Sequence, residues 1–310
     1  MEDKGYMMGF EEFTENILIE IRARADGVFQ VKKHDAAKNN NVKLTGITVM
    51  KKEADTGFCV YLDGLYREYE SGGMEFGEIV DEVYRLIQQH GEDAPDVDIS
   101  GLRNWETVYG DIRAKLINAE QNKEQLKEIP HRRFLDLAVV YYAVVKDHAQ
   151  EEIGTVLIRN GQMEKWGQEE ETLYQTAMRN MRADGEADFA TIETVIRNIM
   201  PGITFPAGRG RAPWATGMYI LTNRRKRFGA AEILDRKTLR MIADRIGDKF
   251  IVLPSSLHET IVLPPGDETE YQRLANMVRE VNDTQVDLEE RLSYHVYVYS
   301  RDEGTLKTVA

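Results

Sequence analysis

A single cysteine among 310 residues removes two kinds of chemistry at the outset. A lone thiol cannot build an internal disulfide framework, nor can it supply a cysteine-rich zinc site. It stands in the apolar run Phe58-Cys59-Val60-Tyr61, where a thiol behaves as a small buried hydrophobe. Histidine is scarce as well. The six, at 34, 90, 131, 148, 258 and 295, form no HExxH pair or comparable ligand spacing, so neither a metal nor another cofactor is expected. No stretch approaches the roughly 20 apolar residues of a membrane-spanning helix. The opening residues Met1-Glu2-Asp3-Lys4-Gly5-Tyr6 lack the basic and apolar regions of a secretory signal, and the expected location is the cytoplasm. Gly208-Arg209-Gly210-Arg211 lacks the strand-to-helix context and spacing of a dinucleotide fingerprint or a P-loop.

What is present is charge, unevenly placed. The formal net charge is −13, and between residues 53 and 98 there are 13 acids against only Arg67 and Arg85. Between residues 194 and 231 the balance reverses, with seven Arg and Lys residues and no acid. The acidic tract includes a helix displaying Glu75, Glu78, Asp81 and Glu82, which could imitate a phosphate backbone or merely keep a surface solvated. The basic tract offers Arg224-Arg225-Lys226-Arg227, with Arg209, Arg211 and the stacking surface of Trp214 nearby. Its position suggests the turn of a β-hairpin, and no recognised nucleic-acid motif accompanies it.

Apolar spacing predicts an α+β protein: a small N-terminal helix, hairpin and helix unit, then a larger mixed or antiparallel sheet flanked by helices. Residues 1–92 form the small acidic domain, 93–130 a linker and connecting helix, and 131–310 the larger domain. Phe10, Phe13, Ile17 and Ile21 carry a helix over 9–25. Strands at 28–33 and 42–51 form a hairpin across Asn39-Asn40-Asn41, and a helix covers 76–90. Further helices are expected at 105–127, 169–181, 189–200, 237–246 and 268–281. Strands are expected at 135–145, 152–159, 218–221, 229–234, 250–253, 260–263 and 295–300.

Three runs together resemble the C-terminal signature of a known family. They are Met218-Tyr219-Ile220-Leu221-Thr222-Asn223, Gly229-Ala230-Ala231 and Ile251-Val252-Leu253-Pro254-Ser255-Ser256-Leu257-His258-Glu259. The likeness extends to Trp166, to the helix at 169–181, and to Tyr61-Leu62-Asp63 with Tyr66 and Tyr69, so that it spans nearly the whole chain. The family is an uncharacterised bacterial one, mainly of Firmicutes, catalogued as domain of unknown function 5688. It implies no established activity, substrate or cofactor.

The one crowding of a hydroxyl, an imidazole and a carboxylate lies in the last of these runs. A hydrolase would use Ser255 or Ser256 as nucleophile, His258 as base, Glu259 as its orienting carboxylate, and Asn223 or a backbone amide at the oxyanion. Adjacency in sequence argues against this, because triads bring their members from distant positions, and no Gly-x-Ser-x-Gly elbow is present. The structural alternative makes the serine hydroxyls fasten a turn after Pro254, with His258 and Glu259 tying it to a neighbour. The expected function is therefore binding or regulation without catalysis, with a protein as partner. An accessory or counter-defence role through the acidic face fits this reading. A Ser/His hydrolase and a nucleic-acid binder at 224–227 are the alternatives.

Overall fold

The fold is that of a computed structural model, which describes residues 7–25, 27–51, 57–92, 100–146, 152–199, 217–254, 256–265 and 268–310. The chain divides into two compact units. One comprises residues 1–38, 42–99 and 145–154, the other residues 39–41, 100–144 and 155–310.

In the first unit, helix α1 (Phe10–Arg24) places Glu11 and Glu12 in its first turn and Arg22 and Arg24 in its last, matching the helix dipole. Its buried stripe of Phe13, Ile17 and Ile21 meets an antiparallel meander of β1 (Phe29–Ala37), β2 (Lys43–Lys51) and β3 (Gly57–Tyr61). Helices α2 (Asp63–Glu70) and α3 (Phe76–Glu92) follow. Ile79, Val83 and Ile87 of α3 complete a core with Ile47, Val49 and Leu62. Each such side chain contributes about 1.5–3 kcal/mol on burial.

Apart from residues 145–146 and 152–154, which fall in the first unit, the second unit holds two antiparallel sheets. After α4 (Trp105–Val108), β4 (Ile112–Asn118), α5 (Lys123–Leu126), β5 (His131–Phe134), β6 (Leu137–Lys146) and β7 (Glu152–Leu157) form a four-stranded sheet. Strand β6 is its spine, pairing with the other three. Every residue from Leu137 to Val145 is buried, as a strand covered on both faces requires. Helices α6 (Asn160–Lys165) and α7 (Glu170–Ala183) follow, then β8 (Asp188–Thr191), α8 (Ile192–Ile199) and β9 (Tyr219–Thr222). A 3-10 helix (Gly229–Leu234) runs into α9 (Arg236–Ile246). Strands β10 (Lys249–Leu253) and β11 (Thr260–Leu263), helix α10 (Glu268–Gln285), and strands β12 (Tyr297–Ser300) and β13 (Thr305–Thr308) finish the chain. The second sheet has the order β13-β12-β10-β11-β9-β8, and all its pairs are antiparallel.

The α+β class stands, while several elements differ from expectation. The helix expected over 105–127 is two short helices around β4, whose Ile112, Ala114, Leu116 and Ile117 are all buried. Arg113, also buried, gives its guanidinium to Asp184, and seven register pairs with β6 override the helix propensity of the segment. The strand expected at 229–234 is the 3-10 helix, and the helix expected at 189–200 begins only after β8. The basic run is no hairpin turn, because it leads from β9 into the 3-10 helix and β9 pairs with β8 and β11. Strand β13 has no counterpart among the expected elements.

Candidate functional site

The Ser256–Glu259 segment is a knot of hydrogen bonds. Ser256 bridges to Arg291, and its Oγ accepts from the backbone N–H of His258 at 3.1 Å. Leu257 donates to the carbonyl of Glu290 at 2.9 Å and accepts from Ala230 N–H at 3.2 Å. Thr222 donates its hydroxyl to the carbonyl of His258 at 2.7 Å. The imidazole is equally occupied: Nδ1 accepts from Phe228 N–H at 3.2 Å, and Nε2 lies 3.5 Å from Oε1 of Glu290. Its ring stacks on Phe228 with centroids 5.6 Å apart. Ser256 thus meets the main chain of His258 and not its ring. Glu259 is exposed. Asn223 closes its own loop, donating to the carbonyl of Arg227 and accepting from its N–H. Ser255 lies outside the described residues.

A second serine and histidine meet a carboxylate that is distant from them in the chain. Asp136 accepts from the hydroxyls of Tyr297 and Ser293, the latter at 2.7 Å, and Nδ1 of His295 lies 3.1 Å from it. Ser293 Oγ also lies 3.4 Å from His295 Nδ1, but its hydroxyl donates to Asp136, whereas a nucleophilic serine gives its proton to the imidazole, and Ser293 is fully buried.

Some members of each charged tract have a partner close by. Arg225 pairs with Asp184 at 3.2 Å and Lys226 with Asp188 at 3.8 Å, while Arg227 lies over the Phe228 ring and reaches Thr155. Arg224 lies against Gly185. Arg209 and Arg211 fall outside the described residues. In the acidic tract, Asp81 pairs with Arg24 and Glu82 with Arg85, and the Glu78 carboxylate accepts the N–H of Glu75 at 2.8 Å.

The structure places a cavity of about 320 Å³ in the second unit, between the end of α7, the 3-10 helix and α9. Its apolar wall is Met178, Met181, Met241 and Ala187; its polar groups include Arg182, Glu186, Glu232, Asp235, Lys237, Thr238 and Arg245. Each wall has a local reason. Leu173 and Ala177 bury one face of α7 and leave Arg182 in its last turn. The chain then turns at Gly185, whose φ of 122° suits glycine and whose missing side chain leaves room for Arg224. Asp235 caps α9 by accepting from Lys237 N–H at 3.0 Å and also takes both Nε and Nη2 of Arg182, each at 3.0 Å. Burial pushes the Asp235 carboxyl up, but Arg182 and the Lys237 amide outweigh it and hold the group below the usual range.

Glu232 is only 7 % exposed. Burial, with smaller contributions from the negative charges of Asp235 and Asp184, pushes its carboxyl up to about 7, and the Thr238 hydroxyl only partly opposes this. A protonatable carboxyl thus borders a cavity of ligand size beside a fixed ion pair. Nothing in the sequence marks these residues. Read as a strand, Gly229–Leu234 would alternate faces; as a 3-10 helix it buries Glu232 beside Ala230 and Ala231. Only the neighbouring Gly229-Ala230-Ala231 motif pointed to the region.

No group of three or more His, Cys, Asp or Glu residues able to hold a metal occurs among the described residues, and no described helix is long and apolar enough to cross a membrane. No curated protein matches the chain, and no solved structure does. The model of a family of unknown function (DUF5688) matches residues 10–301, which takes in the cavity, the His258 knot and most of both units, and the chain belongs to that family.

Proposed function

We infer that this chain is a binding or regulatory protein without catalytic chemistry, and that its recognition site is the cavity beside Glu232. The observation that carries this reading is the cavity itself, an apolar wall of three methionines facing a few convergent polar groups in the volume range of small-molecule sites. The engagement of His258 by Phe228 and Glu290 supports the non-catalytic half, since its ring is already spent on fastening a bend. Saturation-transfer NMR with a fragment library on the full chain tests the reading. A set of fragments should bind the wild type and be lost in Met241→Trp, which fills the cavity; fragments indifferent to that change would sink it. Labelling of Ser256 by a fluorophosphonate, abolished in His258→Ala, would restore the hydrolase.

A protein partner is the second reading, favoured by Glu75 and Glu78. Both are exposed, and neither meets a cation within ion-pair distance among the described residues. Co-purification at low and high salt tests it: a specific partner released by salt supports it, and none in either condition removes it.

A further inference from the structure

We propose that the occupant of this cavity is a small organic anion, a carboxylate or sulfonate carried on an apolar body; the proposal rests on the reading of the cavity as a ligand site. Charge reaches the cavity from three helices and a loop. From α7 comes Arg182, cancelled by Asp235 in a two-bond pair. From the loop after α7 come Asp184, already shared by Arg113 and Arg225, and the exposed Glu186. The 3-10 helix brings Glu232, and α9 brings Lys237 and Arg245. Neither of these two cations meets a carboxylate within ion-pair distance among the described residues, and Arg245 reaches only the carbonyl and ring of Phe189. The smaller adjoining pocket shares Met181, Gly185 and Glu232 with the cavity and adds Arg113, Arg224 and Arg225 around the single carboxylate of Asp184.

With the Glu232 carboxyl protonated, the uncancelled groups of the main cavity are two cations against Glu186, and the adjoining pocket adds to that surplus. Lys237 and Arg245 are exposed at the rim of the cavity, and an anion is therefore favoured where they stand while a cation is disfavoured there. The polarisable thioethers of Met178, Met181 and Met241 suit a flat apolar body, which buries against them without requiring a polar partner. Ionisation of Glu232 adds a negative charge to the same space, so affinity for the anion falls as pH rises through neutrality.

Isothermal titration of the full chain with 4-phenylbutyrate, 4-phenylbutanamide and 4-phenylbutylamine, at pH 6 and pH 8, tests this. The carboxylate should bind at one site about tenfold more tightly than the amide at pH 6, and the amine should not bind. The double variant Lys237→Ala, Arg245→Ala should weaken the carboxylate by about tenfold and leave the amide unchanged. Glu232→Gln should abolish the weakening between pH 6 and pH 8. An amide bound as tightly as the carboxylate, or a preference for the amine, overturns the anion; if that binding is lost in Met241→Trp, the cavity reading stands. Binding by none of the three also overturns it, and the fragment screen then decides whether the cavity reading falls too.

Discussion

Gly229 occupies a position that no side chain can enter. A β-carbon there would lie 2.2 Å from Thr222 Oγ1 and 2.6 Å from both the Asn223 amide nitrogen and the His258 carbonyl oxygen. Two of those three atoms are backbone and cannot swing away, so Gly229→Ala should cost roughly 2–3 kcal/mol, read as a lowered urea midpoint. A midpoint within experimental error of the wild type would show that the β9 loop yields. The preceding residue is held as tightly. Phe228 has a φ of 56°, an unfavourable conformation for a bulky side chain, and it is kept there by its stack on His258, its edge contact with Tyr142, and its N–H bond to the imidazole. The histidine that looked like a catalytic base is thus the clasp for a strained backbone, and Glu232 lies a few residues further along that same backbone.

At the level of elements, the parts legible in the sequence are those where one face or both faces are uniformly apolar. The stripe of α1, the stripe of α3 and the unbroken run of β6 all declare themselves. Strand β4 does not, because Arg113 and Lys115 interrupt its apolar residues, and a charge inside a run reads as a helix face turned to water. What reverses that reading is Asp184, some 70 residues later, which takes Nε and Nη2 of Arg113 at 2.6 and 2.8 Å. Such a partner is visible only once α7 has packed on β4. Glu232 was illegible for a related reason: burial of an acid follows from a tertiary environment that local spacing does not encode. The interior placement of Arg113 gives a sharp expectation. Arg113→Ala opens a void beside Asp184, leaves that carboxylate only its pair with Arg225 among the described residues, and should destabilise the fold by about 3 kcal/mol, whereas Arg113→Met, which keeps the volume, should cost less. Denaturant titrations of the two variants check this, and equal losses would mean that charge pairing dominates over filled space.

For the whole molecule, a count of charge along either tract overstates the field there, since Asp81, Glu82, Arg225 and Lys226 each have an opposite charge at hand. One titration that reaches global stability near neutral pH is that of Glu232. Its carboxyl is pushed up to about 7 in the folded chain from an ordinary value of 4.5, so between those values the folded state keeps a proton that the unfolded state has released. Stability from this group is therefore fully present below pH 4.5, declines as pH rises towards 7, and stays lower above it, by on the order of 3 kcal/mol. Unfolding at pH 5 and pH 8 should show this loss in the wild type and lack it in Glu232→Gln; identical pH dependence in the two proteins would contradict the assignment. The pairing of Arg182 with the capping residue of α9 carries a different implication. Whatever draws the guanidinium towards itself must loosen the grip on the first turn of that helix, so occupancy of the neighbouring space would be written into the hydrogen exchange of backbone amides that the visitor never touches.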